Sequence, residues 1–233
     1  VVPDGYKVEN LERFQNTPNR TTAAHVFADT ESLIEYLNRF ASEQTMITAD
    51  ATAGVIKAQI DGDQPDGPSH KTHSAAFKAH VGEKLTAWLA MSGKPISQVD
   101  FCLFLENRAV DVVVPDAADV MDMVMTFEAT KKVVFKQATR LHDGSRQITY
   151  TEDNEQTRGA FRLPDSMTIL APIYRGMEPQ RIRFLLRFRI EDGRLHFQID
   201  MHDKDEVMRA AFDSCVDALR IGVKRKLPIY SVG

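Results

Sequence analysis

Cysteine and tryptophan are scarce in this chain, and long apolar runs are missing. Two cysteines in 233 residues exclude a disulfide-stapled secreted scaffold. Cys102 and Cys215 sit in apolar, helix-like surroundings, which predicts buried free thiols in a reducing compartment. The longest apolar stretches run only a few residues, against the roughly 20 that a helical membrane span requires. The net charge of −4 and a pI near 6.0 give no overall attraction to nucleic acid or to an anionic membrane. Val1-Val2-Pro3-Asp4-Gly5 has none of the character of a signal peptide. A start at Val rather than Met suggests a leading segment that is absent or disordered. The expectation is a soluble cytoplasmic protein with no membrane partner, long enough for one large domain or two small ones.

Reactive motifs are equally scarce. No CxxC or HExxH pattern and no acid-rich partner motif accompanies His70, His73 and His80, so exposed loop histidines are a better account of them than a zinc site. Ser92-Gly93-Lys94-Pro95 has the look of a phosphate loop, but it lacks the upstream glycine, and proline replaces the magnesium-binding hydroxyl residue. Neither Ser166 nor Ser214 stands in a nucleophile elbow, and neither cysteine has an electropositive neighbourhood. Glu106, Asp111, Asp116, Asp119 and Asp122 form an acidic stretch around two helix ends, which reads as a solvated face. No catalytic residue, metal ligand or cofactor is expected.

What is present is a strand with two different faces. Over 181–190 the even positions are Ile182, Phe184, Leu186, Phe188 and Ile190, and the odd positions are Arg181, Arg183, Leu185, Arg187 and Arg189. Side chains alternate across a strand, so one face meets a core and the other carries guanidinium groups. Glu191-Asp192-Gly193 turns the chain, and Leu195, Phe197, Ile199 and Met201 continue the apolar face. Arg181, Arg183, Arg187, Arg189 and Arg194 can clamp phosphates bidentately. Nucleic-acid surfaces usually add exposed aromatics, whereas the aromatics here point the other way, so an ion-pair surface within or between subunits is the better reading.

Elsewhere the pattern predicts an extended arm over 1–28, then a helix capped by Asp29 or Thr30 on Leu33, Ile34, Leu37, Phe40 and Ala41. Strands follow near 46–50, 54–61 and 74–80, with a loop over 62–69. Helices are expected over 83–91, from 97, over 117–130 and over 203–222, the second opened by the capping-box spacing Ser97-Gln98-Val99-Asp100. A hairpin over 132–153 turns at Asp143-Gly144, and shorter strands lie near 159–163 and 168–173. Hairpin-linked strands with separate helices make the class α+β, largely antiparallel, with a projecting hairpin. The division expected is an arm over 1–28 and a single domain over 29–233.

The arm and the outer part of the hairpin are too polar to offset their ordering entropy locally. Such pieces are commonly ordered by a neighbouring subunit, and Arg140, His142, Asp143 and Arg146 are the candidate contact residues. A flexible hairpin on a monomer accounts for the same composition equally well.

The motifs also follow a recognisable order. They are Pro3-Asp4-Gly5-Tyr6-Lys7-Val8, Glu31-Ser32-Leu33-Ile34-Glu35-Tyr36, Ser97-Gln98-Val99-Asp100-Phe101 and Phe104-Leu105-Glu106-Asn107. After these come Lys132-Val133-Val134-Phe135, Gly144, the Tyr150 and Glu152 pair, and 188–195. Over nearly its whole length the chain resembles the phage- and prophage-encoded YfdQ-like family. The resemblance implies expression in the cytoplasm of a phage-infected or lysogenic bacterium and carries no catalytic residue. These proteins also resemble encapsulin-type shells on the tailed-phage major-capsid fold, which implies an N-terminal arm, a projecting hairpin, a long helix and a mixed peripheral domain. The leading expectation is therefore a non-enzymatic structural protein that self-assembles into a homo-oligomer, in its fullest form a closed shell around a cargo. The alternative is an accessory protein of phage DNA metabolism that binds nucleic acid through the arginine face. A metal-dependent hydrolase using the histidines ranks third.

Overall fold

The computed structural model describes residues 5, 9, 11–126, 164–191 and 194–233. The expected hairpin over 132–153, with Arg140, His142, Asp143 and Arg146, and the expected strand near 159–163 lie outside the described residues. The rest forms two compact units, one from residues 1–80 with 209–233 and the other from 81–208. The sequence leads to an arm over 1–28 and a single domain over 29–233; within the expected arm, Ala23–Phe27 is a sheet strand.

The first unit holds a mixed five-stranded sheet. Its strands are β1 (Ala23–Phe27), β2 (Met46–Asp50), β3 (Val55–Gln59), β4 (His73–Lys78) and β10 (Ile229–Val232), in the spatial order β1-β4-β3-β2-β10. The three central strands pair antiparallel, while β1 joins β4 and β10 joins β2 in parallel. Alternation places Ile47, Ala49, Ile56, Ala58, Ala75 and Phe77 on one buried face. Helix α1 (Thr30–Phe40) packs against β4 and β1. Its start is fixed by Asp29, whose Oδ1 accepts the Ser32 N–H at 2.7 Å. Leu33 and Leu37 are its buried residues, each side chain contributing about 1.5–3 kcal/mol. Helix α5 (Lys204–Gly222) buries Ala211, Phe212, Cys215, Val216 and Leu219. A Cβ at Gly222 would come within 2.9 Å of the Ile34 side chain, so glycine permits that approach.

The second unit holds a purely antiparallel sheet. It contains β5 (Ile96–Ser97), β6 (Val112–Val114), β7 (Ser166–Ala171), β8 (Gln180–Glu191) and β9 (Arg194–Met201), in the order β5-β9-β8-β7-β6. Its inner face pairs Met167 with Phe184, Ile169 with Ile182 and Leu186 with Ile199. Helices α2 (Glu83–Met91), α3 (Gln98–Asn107) and α4 (117–126) bury Leu85 and Trp88, Phe101 and Leu105, and Val120 and Val124 in this unit, while Val99, Leu103 and Met125 stay exposed. Trp88 lies 5.4 Å from Phe184, and Phe101 stacks on Phe197 at 5.3 Å. The expected cap at Ser97 is present, its Oγ accepting the Asp100 N–H at 3.2 Å. Gln98 donates to the Val124 carbonyl at 2.6 Å and so ties the start of α3 to α4. The α+β class and the predominance of antiparallel pairing stand. No helix among the described residues is long and apolar enough to cross a membrane.

Candidate functional site

The arginine face is the outer face of the second sheet. Register places Arg181 opposite Leu170, Arg183 opposite Thr168 and Leu185 opposite Ser166 on β7. On β9, Asp200 faces Leu185, Gln198 faces Arg187 and His196 faces Arg189. Arg181, Arg183 and Arg187 are exposed. Arg183 donates from Nε to the Ser166 hydroxyl at 3.0 Å, and Arg187 Nη1 reaches Asp200 Oδ2 at 3.0 Å. Gln198 donates to the same Asp200 oxygen at 3.0 Å. Two of these three arginines are thus committed across the sheet, one of them to a carboxylate. For Arg189 and Arg194 the backbone places the first opposite His196 and the second opposite Glu191.

The two sheets differ in how far their edges are protected. An edge strand offers unpaired N–H and C=O groups, and proteins normally blunt it by shortness, charge, proline or a bulge. The second sheet follows this rule. β5 has two residues, and β6 has three, with a register shift between Val112 and Val114 and Pro115 directly after. The first sheet follows it less. β1 reads Ala-Ala-His-Val-Phe and β10 reads Ile-Tyr-Ser-Val, with no charged residue and no proline within either, although β10 is short and Pro228 directly precedes it. Val26 is 72% exposed, and Tyr230 and Val232 are 50% and 45% exposed. Sequence reading missed this site because β1 fell inside the expected arm and β10 inside an extended tail.

The ionisable clusters serve the fold. His73 is buried, which corrects the expectation of a loop histidine, and its Nε2 shares a 2.7 Å hydrogen bond with the Tyr36 hydroxyl. Burial raises the Tyr36 phenol pKa. His25, Phe27 and Phe40 complete the aromatic cluster around Tyr36. His70 and His80 are exposed, and among the described residues no group of three His, Cys, Asp or Glu could hold a metal ion. Asp61 Oδ1 accepts the His73 N–H at 3.0 Å and the Gln59 amide at 2.8 Å, while Oδ2 accepts the Thr72 N–H at 2.7 Å. Burial alone would raise the Asp61 pKa, but these hydrogen bonds together outweigh it and hold the carboxyl at about 2. Burial also pushes the Cys215 thiol up to about 11, away from reactive thiolate character.

Asp111 contradicts its assignment to a solvated acidic face, being only 1% exposed. Lys84 Nζ lies 3.0 Å from its Oδ1, Arg108 lies 3.8 Å from Oδ2, and Trp88 Nε1–H donates to Oδ2 at 3.3 Å. Its Oδ1 makes no hydrogen bond of good geometry, so the Lys84 contact is a charge pair. Lys84 and Arg108 are partly exposed and can rehydrate, so removing the carboxylate mainly strands the buried Trp88 N–H. Asp111→Ala is expected to cost about 1–3 kcal/mol in urea unfolding, with Asp111→Asn losing less because it can still accept from Trp88. Equal stability of Asp111→Ala and the parent would show the cluster to be inert.

Across residues 1–233 the sequence matches the family described as Uncharacterized conserved protein (DUF2303). The chain belongs to the DUF2303 family. No curated protein and no solved structure matches the DUF2303 chain. Its candidate site therefore rests on the geometry of the two sheets.

Proposed function

We propose that the protein is a non-enzymatic, phage-encoded structural protein that assembles with copies of itself into a homo-oligomer. In its fullest form the assembly is a closed, encapsulin-like shell with a cargo inside, formed in the cytoplasm of a phage-infected or lysogenic bacterium. The observation that carries self-assembly is the pair of edge strands without charged residues on the first sheet, in contrast to the two- and three-residue edges of the second. The commitment of Asp61, Asp111 and His73 to neighbouring backbone and side chains fits a structural role. The capsid-like form follows from the resemblance of the motif order. Electron micrographs of the purified protein test it: uniform closed particles are expected, and a field of small irregular species would remove the shell.

A second reading is favoured by the exposed Arg181, Arg183 and Arg187 on one sheet face. Under it the protein binds nucleic acid in phage DNA metabolism, with affinity falling steeply as salt rises. The Arg187–Asp200 and Arg183–Ser166 contacts weigh against it, because they occupy donors that phosphates would need. Replacing the three arginines by Ala is expected to leave both the oligomer and any retention of DNA in a mobility-shift assay unchanged. Loss of DNA retention with an intact oligomer would favour the second reading over the first.

A further inference from the structure

The first unit contains a basic cleft outside both surfaces considered above. It has a volume of about 500 Å³ and is lined by Leu37, Asn38, Arg39, Ala41, Lys224 and Arg225. Asn38 builds its wall: the side-chain amide donates to the Gly222 carbonyl at 3.0 Å, and its Oδ1 accepts the Lys224 N–H at 2.7 Å. One asparagine thereby ties the last turn of α1 to the segment after α5 and brings Lys224 and Arg225 beside Arg39. The Arg39 guanidinium lies over the Phe40 ring, 5.2 Å from its centroid, and Leu37 supplies a buried apolar floor.

Charge arithmetic decides what the cleft can hold. Basic residues often follow a helix C-terminus simply to complement its dipole, about half a negative charge per helix. Here α1 and α5 both end at the cleft, which amounts to about one negative charge. Against it stand Arg39, Lys224 and Arg225, with one carboxylate, Glu43, which is 3.8 Å from Arg225 and almost fully exposed. About one positive charge remains uncompensated. Among the described residues neither Arg39 nor Lys224 has a carboxylate within ion-pair distance.

We infer that this cleft is a binding site for a phosphate group, held by Arg39, Lys224 and Arg225. The phosphate belongs either to a small ligand or to a nucleic-acid backbone. The small residual charge and the open geometry make inorganic phosphate a weak ligand here, and its binding weakens further as salt screens the cations.

The test is equilibrium dialysis of the full chain against radiolabelled inorganic phosphate, with a short single-stranded oligonucleotide as competitor. The expected result is one saturable site per chain, weakened at least about tenfold in the Arg39→Gln/Lys224→Gln double variant and unchanged in Arg181→Ala/Arg183→Ala. The single variants Arg39→Gln and Lys224→Gln, each weakening binding by a smaller factor, keep the test readable should the double variant unfold. Displacement of phosphate by the oligonucleotide identifies a nucleic-acid backbone as the source, and lack of displacement identifies a small phosphate ligand. Absence of saturation, or saturation that the cleft variants leave untouched, overturns the site. Particle size in the same samples is independent of this outcome, because the cleft does not include β1 or β10.

Discussion

Val26→Lys is expected to shift the protein from its assembly to small species while leaving the fold of the chain intact. Val26 lies on edge strand β1 and is 72% exposed, so a lysine there costs the isolated chain little, within about 0.5 kcal/mol. In a sheet that continues into a second copy, the same lysine must be buried against a neighbouring strand or abandon the pairing, which is how edge lysines suppress association in natural sheets. Val232→Lys on β10 is the companion variant. The direction of the strands makes the pair informative. β1 runs parallel to β4 and β10 parallel to β2, while β3 opposes both central strands. The two edges therefore run the same way. A head-to-tail continuation joins β10 of one copy to β1 of the next, so either variant blocks it. A twofold contact joins like edges, so only one variant does. Sedimentation velocity on the two variants separates the cases, and unchanged sedimentation in both would remove the edges as contacts.

The second large effect is expected at Asp61. Its carboxylate holds the backbone N–H groups of Thr72 and His73 and the Gln59 side chain, and so closes the loop between β3 and β4. Asp61→Ala leaves those donors without their acceptor, at a cost of about 2–4 kcal/mol, given about 1.5–3 for a hydrogen bond to a charged group. The pH dependence has a defined sign. The folded carboxyl sits at about 2, below the unfolded value of about 3.9, so its stabilisation is fully present above the unfolded pKa. It is lost as the pH falls from about 4 toward 2. Urea midpoints of the parent protein should decline over that window, and the Asp61→Ala variant should decline less steeply. Parallel pH profiles for the two proteins would show that Asp61 does not carry this linkage.

Strong local periodicity made several elements legible in the sequence. The pairing of β8 with β9, the Asp29 and Ser97 caps and the buried Leu33 and Leu37 of α1 formed as read, because each is set by nearby residues. Phe40 and Phe188, read as core, are instead exposed, and Ala41 caps α1 rather than joining its stripe. β1 and β10 were not legible as sheet strands. They are short, they lack alternation, and each is held by a parallel partner far away in sequence, His73–Lys78 for β1 and Met46–Asp50 for β10. The three residues of β6 escaped because they are few and pair antiparallel with a strand far away in sequence, Ser166–Ala171.

The site residues divide in a similar way. The outward direction of Arg181, Arg183 and Arg187 followed from strand alternation alone, whereas their partners Ser166 and Asp200 depended on register. Asp111 was misread because its acidic neighbours in sequence are solvated, while its own surroundings come from α2 and the Arg108 turn. Asp61 carried a local signal, an aspartate entering a Gly- and Pro-rich loop, which commonly means a carboxylate capping backbone N–H groups. The cleft at Arg39, Lys224 and Arg225 had none, since its two halves lie at opposite ends of the chain.

The measurement that bears most directly on self-assembly is the mass of the purified chain by size-exclusion light scattering at micromolar concentration, followed through serial dilution. A discrete mass many times the 26.3 kDa of one chain, stable to dilution, is the predicted result. A mass equal to one chain throughout would contradict self-assembly.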